Sequence, residues 1–324
     1  MLAILDRFGR RLVKGVLLLS LASLIAGALG RYSPELDLFA NARGHLLGLF
    51  AFAVLALWLD YRPVLVLALG TFITLAGHAL LAQQNEGPLF DAALAAASSQ
   101  PGDWTVLSLN TDHKHSDSAG LADYLMSTGA DLLVLTEFGP NKIAEFHQLE
   151  RLYPYRVDCA TDWDCSIAVL SRHPFTTAGS TPEGAGPAMA WITFGQGDQA
   201  LTIIGTEIVQ PLRSPVLHTR EMAHLAAFAK EFKGRVLVAG DLNTTPWSSS
   251  FARFGEASGL THMGHFLPTF PSGTEGLPQL ALDHMFASPG IHFDEVWIGP
   301  DVGAAHRPLF AEVQVPNAKQ AALH

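Results

Sequence analysis

Several short apolar runs in the chain end in side chains that carry oxygen or imidazole groups. If these runs are strands whose ends gather at one edge of a sheet, their polar side chains form a cage of hard oxygen ligands with a histidine beside it. Such a cage suits Mg²⁺ or Mn²⁺ better than zinc. The candidate side chains, in chain order, are Asn110, Asp112, Glu137, Asp241, Asn243, Asp283 and His306.

Asp241 and Asn243 lie two positions apart in VLVAGDLNTTPWSS, residues 236–249. The apolar run before them is rich in valine and is closed by Gly240, which predicts a buried strand ending in a sharp turn. Ligands and catalytic groups are commonly placed at strand ends of this kind. An Asx turn that caps the next helix uses the same residue types. This stretch alone leaves both interpretations open.

The elements that must position these residues lie between Trp104 and Val315. Short apolar runs alternate there with helical patterns, which predicts an α/β chain rich in strands. The helical patterns lie near residues 119–127, 141–149 and 215–232, and after Pro246. The predicted strands are WTVLSLN, DLLVLTE, SIAVLSR, AMAWITF, ALTIIGTE, RVLVAGD, LDHMFAS, FDEVWIG and RPLFAEVQV.

The ordered motifs LSLNTD, LVLTE, VLSR, GDLNTTPWS, LDHMFAS and HRPLFAEV resemble the endonuclease/exonuclease/phosphatase superfamily. That superfamily includes DNase I-like nucleases, abasic-site endonucleases, inositol polyphosphate phosphatases and neutral sphingomyelinases. The resemblance covers residues 104–315. It implies a DNase I-like four-layer α/β sandwich, in which two packed β-sheets are flanked by helices, and a metal-dependent phosphoric ester hydrolase.

The resemblance also implies a metal site. Glu137 corresponds to the principal ligand of Mg²⁺ or Mn²⁺, and Asn110 and Asp112 complete or border that site. An acid that ends a wholly apolar strand has no obvious structural purpose, which favours this role for Glu137.

The resemblance implies roles in phosphoryl transfer for four further residues. Asp241 orients or deprotonates the attacking water, and Asn243 holds the phosphate. His306, oriented by Asp283, stabilises charge on the phosphoryl oxygens or transfers a proton. In-line attack on phosphorus needs an acceptor for the proton of the water and donors for the equatorial oxygens.

Two positions depart from the pattern of the superfamily. Glu207 follows the strand LTIIGT where the superfamily usually has His, and Ala304 and Ala305 precede His306 where it usually has Ser and Asp. A carboxylate in place of an imidazole exchanges a donor to phosphate for an acceptor, unless the Glu binds metal or is protonated. We interpret Glu207 as a substituted site position.

The remaining conspicuous side chains have structural interpretations. Trp247 and Phe270 could line a cleft but are interpreted as packing residues. We predict no catalytic role for five histidines, which have a structural role or none: His218, His224, His262, His265 and His284.

Residues 1–82 contain three apolar runs, at 15–30, 44–59 and 63–82. Their lengths approach the roughly 20 residues that cross a bilayer. We therefore predict a membrane anchor of three transmembrane helices at 1–82, a linker at 83–103, the catalytic domain at 104–316 and a tail at 317–324. Core helices of a soluble domain are the alternative for these runs. A cleaved signal peptide is an alternative for the first run alone.

The basic residues before the first run predict the orientation of this anchor. They place the amino terminus in the cytoplasm, and three crossings then place the catalytic domain on the extracytoplasmic or periplasmic side of the inner membrane. Cys159 and Cys165 lie six residues apart, and on that side of the membrane they are predicted to form a disulfide. The basic residues are Arg7, Arg10, Arg11 and Lys14.

The net charge of the predicted catalytic domain limits the class of substrate that we expect. Residues 101–324 contain 13 Lys or Arg and 24 Asp or Glu, a formal charge of −11. Such a domain has no general basic surface for a polyanion, so nucleic acid is not the expected partner. The sequence favours a membrane-anchored phosphoesterase acting on a lipid-linked phosphomonoester or phosphodiester. An extracytoplasmic nuclease and a catalytically impaired binding or sensing module are the alternatives.

Overall fold

The computed structural model describes residues 2–59, 103–112, 118–142, 145–159, 165–182, 184–264, 266–273 and 279–315. The third apolar run at 63–82 and the predicted tail lie outside these residues, as does the predicted linker apart from Asp103. Within the described residues, twelve strands form two six-stranded sheets.

The first sheet has the strand order β11-β12-β1-β2-β4-β3. Its central strands β1 and β2 are parallel, and their neighbours run antiparallel to them. All five residues of β2 are buried, as expected of an apolar run in a sheet covered on both faces. The strands are β1 (Asp103–Asn110), β2 (Leu132–Thr136), β3 (Tyr155–Asp158), β4 (Ala168–Ser171), β11 (His292–Ile298) and β12 (Leu309–Gln314).

The second sheet has the strand order β5-β6-β7-β8-β10-β9. Strands β7 and β8 are parallel at its centre, and β10 pairs antiparallel with β8. The strands are β5 (Thr177–Ser180), β6 (Ala188–Phe194), β7 (Leu201–Glu207), β8 (Arg235–Asp241), β9 (Thr261–Met263) and β10 (Asp283–Ala287).

The two sheets pack face to face, and helices cover their outer faces. Val106 of the first sheet and Ile203 of the second belong to one buried apolar cluster between the sheets. Helix α4 (Ser118–Ser127) packs on the outer face of the first sheet through Leu121. Helices α5 (Pro215–Ala229) and α6 (Ser249–Ser258) cover the second sheet. This arrangement is consistent with the predicted DNase I-like sandwich.

Two local predictions are tested by the structure. The helix expected near residues 141–149 is replaced by two 3₁₀ helices, Pro140–Lys142 and Glu145–Arg151. In the first of them the N–H of Lys142 donates to the carbonyl oxygen of Gly139, and the side chain of Lys142 is bound to the carbonyl oxygens of Thr111 and Asp112, so tertiary contacts hold this turn. The predicted disulfide between Cys159 and Cys165 is confirmed, with the two Cα atoms 5.7 Å apart.

The prediction of three membrane helices is corrected for the part of the chain that the structure describes. Helix α1 (Leu2–Ala28) contains a 22-residue stretch, Arg7–Ala28, with a mean hydropathy of 1.7. The second run forms α3 (Arg43–Trp58), whose 16 residues reach about 24 Å, less than the roughly 30 Å of a hydrocarbon core. The preceding α2 (Pro34–Asn41) is bent by 65° from α3. Among the described residues, one helix therefore qualifies as a span, or two if the bent pair counts as one.

Candidate active site

Three carboxylates lie side by side at one edge of the second sheet. Glu207 and Asp241 are register partners on the parallel strands β7 and β8. Asp283 is the register partner of Asp241 on β10. The row exists because each of these strands places an acid at the same level of the sheet.

Gly240 allows β7 and β8 to approach each other beside this row. Its φ is +145°, and a Cβ atom built there would lie 1.9 Å from the carbonyl oxygen of Thr206. A larger residue would push the two strands apart directly before Asp241.

The first sheet brings Asn110 and Glu137 to the same place. Asn110 ends β1 and donates from Nδ2 to Oε1 of Glu137 at 3.0 Å and to Oδ2 of Asp241 at 3.1 Å. Its Oδ1 atom accepts the backbone N–H of Asp112 at 3.0 Å. The Nδ2 end of the Asn110 amide therefore connects acids of both sheets, and its Oδ1 end holds the turn at Asp112.

Backbone strain is concentrated at the same residues. Asp112, Glu137 and Asn243 have φ values of 47°, 51° and 50°. Within the described residues, Ser166 is the only other non-glycine residue with positive φ, and its carbonyl accepts the N–H of Phe138, which follows Glu137. Non-glycine residues are held in this region at a cost of about 1 to 3 kcal/mol each, and they cluster at functional sites.

His306 completes the group of acids. Its Nδ1 atom donates to Oδ2 of Asp283 at 2.7 Å, and its Nε2 atom lies 3.8 Å from Oδ2 of Asp241. The ring of Phe270 packs 4.9 Å from the imidazole, measured between ring centroids. Asp283 and Phe270 therefore fix the orientation of the imidazole toward Asp241.

The two aspartates and the histidine perturb one another. Burial raises the pKa of Asp241 to about 7, although His306 opposes that shift. Burial disfavours the charged form of His306, but Asp283 and Asp241 outweigh it and raise its pKa to about 9. Burial also opposes the ionisation of Asp283, yet His306 lowers its pKa on balance. At neutral pH the site therefore holds an imidazolium next to an ionised Asp283, and Asp241 loses its proton less readily than an exposed aspartate does.

Glu207, the substituted position, lies inside this group. Burial, followed by the charges of Asp241 and Glu137, raises its pKa well above the usual range. Its side chain also interacts with the backbone of Glu137 and the charge of His306. The departure from the superfamily pattern therefore falls within the site.

Asn243 is held from two sides. Its backbone N–H donates to Oδ1 of Asp241 at 2.8 Å, and its Nδ2 donates to the carbonyl oxygen of Ile208 at 2.9 Å. The next residue, Thr244, is held by His284, whose Nε2 donates to the Thr244 carbonyl at 2.8 Å. This contact gives His284 a structural role beside the site.

The comparisons with known proteins agree with this fold. The sequence model of the Endonuclease/Exonuclease/phosphatase family matches residues 107–309. The chain belongs to this family. Members of the family are hydrolases that act on phosphate esters. No curated protein sequence matches the chain.

Solved structures of this family share the fold of the domain. Humanized D. rerio TDP2 is 16% identical with a TM-score of 0.56, covering 66% of this chain and 100% of that one. A family protein from Bacteroides vulgatus is 12% identical with a TM-score of 0.55 and the same coverage. A variant of beta toxin from Staphylococcus aureus, solved with bound magnesium ions, is 12% identical with a TM-score of 0.51, covering 66% and 99%.

The donor set fits a divalent cation of the kind this family uses. Four carboxylates, those of Glu137, Glu207, Asp241 and Asp283, interact with a single imidazole. Ligand atoms of Asp241, Asp283 and His306, all buried, lie within 4.8 Å of one another. Buried negative charge is costly unless it is paired, and carboxylate oxygens are the ligands that Mg²⁺ prefers.

Lys142 is a further residue of the site region that was not predicted from the sequence. Its side chain is fully buried, and Nζ donates to the carbonyl oxygens of Thr111 and Asp112. The lysine therefore fixes the turn that follows Asn110. A lysine in the polar stretch PNK gives no sign of this contact in the sequence, because its partners lie 31 and 30 residues earlier in the chain.

Proposed function

We propose that this member of the family is a divalent-metal-dependent phosphoesterase, held at a membrane, that hydrolyses a lipid-linked phosphate ester. The observation that carries the proposal is the imidazole of His306, held by Asp283 at 2.7 Å and facing Asp241 at 3.8 Å. This geometry offers a proton acceptor and a proton donor on one side of a cage of oxygen ligands.

Glu137 would hold the cation, and Asp112 would border that site. Asn110 would keep the Glu137 carboxylate in place through its 3.0 Å hydrogen bond. The bound magnesium in the beta toxin relative supports Mg²⁺ as the ion. When bound, a divalent cation neutralises negative charge on phosphoryl oxygens.

Asp241 would act as the acceptor for the proton of the attacking water. A general base is most effective when its pKa lies near the working pH, and the pKa of Asp241 is about 7. Its Oδ1 atom is occupied by the N–H of Asn243, and its Oδ2 atom faces Asn110 and His306. Each of these oxygens accepts one hydrogen bond and keeps a second lone pair, on which the carboxylate would receive the proton.

His306 and Asn243 would bind the phosphoryl group. With a pKa of about 9, the imidazole of His306 is charged at neutral pH and can donate from Nε2 to a phosphoryl oxygen. Asn243 keeps one amide hydrogen on the carbonyl of Ile208, which orients its second amide hydrogen. Both donors would stabilise charge that develops on the equatorial oxygens.

A lipid-linked substrate is supported by the neighbourhood of the domain. Helix α2 packs on α5 and α6 of the catalytic domain, and α1 and α3 are apolar. At the start of α5, Leu212 is 86% exposed and Val216 is 50% exposed. The formal charge of −11 over residues 101–324 disfavours a nucleic acid. A leucine and a valine exposed near the start of the helix on which α2 packs suit a lipid surface.

A substrate panel tests the proposal. The full chain in lipid nanodiscs would be assayed with a lipid phosphomonoester, a phospholipid diester, p-nitrophenyl phosphate and duplex DNA, each with Mg²⁺, Mn²⁺ or EDTA. We expect Mg²⁺-dependent turnover that is fastest for one of the lipid substrates. Glu256→Gln, an exposed change on α6, is the matched control for the site variants below. Fastest turnover of DNA would identify a nuclease, and no turnover with Mg²⁺ or Mn²⁺ would identify a binding module.

A further inference from the structure

Helix α2 connects the apolar amino-terminal helices to the catalytic domain through buried hydrogen bonds. It contains eight residues, PELDLFAN, and it lies between α1 and α3. One face packs on α5 and α6 and contains the buried residues Asp37 and Ala40. Glu35 and Phe39 on the same helix are exposed.

Asp37 binds the first turn of α6. Its Oδ1 atom accepts the N–H of Ser249 at 2.7 Å, and its Oδ2 atom accepts the N–H of Ser250 at 3.0 Å. The carboxylate is only 5% exposed. The first amides of a helix have no partner within the helix, and a negative charge at that end is favourable. A residue more than 200 positions away in the sequence therefore caps α6.

Asn41 binds the loop that carries Asn243. Its Oδ1 atom accepts the backbone N–H of Thr245 at 2.7 Å and lies 3.0 Å from the hydroxyl of Thr244. Thr244 and Thr245 are fully buried and follow Asn243 directly. The carboxamide of Asn41 is therefore one residue removed from the proposed phosphate-binding amide.

Buried hydroxyl groups extend this network to the other side of Asn243. The hydroxyl of Ser248 lies 2.6 Å from that of Thr244 and 3.0 Å from that of Ser250. His218 of α5 lies 3.3 Å from the Ser250 hydroxyl and 2.9 Å from the carbonyl oxygen of Val209. Val209 follows Ile208, whose carbonyl accepts the side chain of Asn243.

We infer that Asp37 and Asn41 are positioning residues, which fix the loop at 242–250 and through it the placement of Asp241 and Asn243. This inference rests on the proposed function for the identity of the site. The catalytic domain then reaches its full activity only with α2 docked, so the active site has a fixed position relative to the apolar helices. A displacement of about 1 Å in a catalytic group can lower a rate 10²-fold.

Asn41→Leu in the full chain is the primary test, since it removes the acceptor of Thr245. We expect kcat on the best phosphoester substrate to fall at least tenfold, with KM changed less than twofold. Asn41→Asp retains an acceptor oxygen and should restore most of kcat. Asp37→Asn retains one of the two acceptor oxygens and is the milder second variant. Glu35→Gln, exposed on the same helix, is the matched control.

Amide hydrogen exchange supplies a readout that does not depend on activity. Asn41→Leu should accelerate exchange of the amides at 244–250 and leave those of β7 unchanged. If the parent hydrolyses phosphoesters and the kcat values of Asn41→Leu and Asp37→Asn both equal that of Glu35→Gln, the inference is wrong. If the parent hydrolyses no phosphoester, the proposed function is wrong. In that case, unchanged amide exchange at 244–250 in Asn41→Leu would separately show that Asn41 does not fix this loop.

Discussion

The Nδ2 atom of Asn110 donates a 3.1 Å hydrogen bond to Oδ2 of Asp241 across the interface between the two sheets. Asn110 ends β1 of the first sheet, and Asp241 ends β8 of the second. The candidate site therefore forms only when the two sheets are packed together. A loss of activity on substitution of one of its acids must therefore be distinguished from a disturbance of the packing between the two sheets.

Asp241→Asn and Glu137→Gln should each lower metal-dependent kcat by roughly 10² to 10⁴, because one removes the proton acceptor and the other a metal-binding charge. Both replacements keep the size of the side chain, and Asn at 241 keeps an acceptor for the N–H of Asn243. Steady-state assays with Mg²⁺ measure the effect. Circular dichroism and the Glu256→Gln control report on folding, and near-native turnover by either variant would place the chemistry elsewhere.

The sequence predicted the central strands and the residues at their ends. The expected strands at 188–194 and 235–241 have the same bounds in the structure. Their apolar runs are continuous because both faces of each sheet are covered. The strands β3, β5 and β9 were missed, since they have three or four residues and leave part of their surface exposed. Such short edge strands have little apolar periodicity to detect.

The contacts that bring the residues of the candidate site together could not be predicted from the sequence. Apolar runs predict that Asp241 and Asp283 follow or begin strands, but the register that pairs them depends on sheet packing. Asp37 and Asn41 were missed for a related reason, because each binds residues more than 200 positions away. The domain at 104–316 was predicted to be separate from the anchor. The short segment that forms α2, between two apolar runs, gave no sign that it packs on that domain.

The disulfide should stabilise the domain by about 2 kcal/mol, because it closes a loop of only a few residues in the unfolded chain. Urea unfolding of the full chain with and without reductant would measure the difference. Cys159→Ala combined with Cys165→Ala provides the control, since reductant should then change nothing. Equal stability of the parent protein with and without reductant would contradict this expectation.

A buried histidine pair should contribute stability to the domain that is lost in mild acid. Nε2 of His284 donates to carbonyl oxygens, so its Nδ1 accepts from Nε2 of His262 at 3.2 Å. Burial lowers the pKa of His284 to about 4 and that of His262 to about 3. Both rings are neutral in the folded protein and gain protons on unfolding, so stability present above pH ~6.5 is lost toward pH ~4.

His262→Phe separates this contribution from other titrations. Between pH 7 and pH 5, the free energy of unfolding of the parent should fall by about 1 to 3 kcal/mol relative to that of the variant. Urea midpoints at both pH values measure it. Other groups titrate in both proteins and cancel in the comparison, so an identical pH dependence would show that the pair contributes nothing.

The catalytic domain should lie on the extracytoplasmic side of the membrane. The basic residues before α1 favour a cytoplasmic amino terminus, and a disulfide persists in an oxidising compartment. A reporter enzyme that is active only outside the cytoplasm, fused after Val315, should be active. The same reporter fused before Met1 is the control and should be inactive. The reverse pattern would contradict the orientation.

Glu207 and Ala305 should tune the site to its own substrate, and restoring the residues usual in the family should reveal this. Glu207 contacts the acids of the site, so an imidazole there would add a donor to phosphoryl oxygens worth about 1 to 3 kcal/mol. A carboxylate at 305 would add charge beside His306. The double variant Glu207→His, Ala305→Asp should therefore hydrolyse a generic diester faster and the preferred lipid substrate more slowly, because contacts specific to that substrate are lost. Gains on both substrates would instead indicate an impaired site, and no change on either would place both residues outside the chemistry.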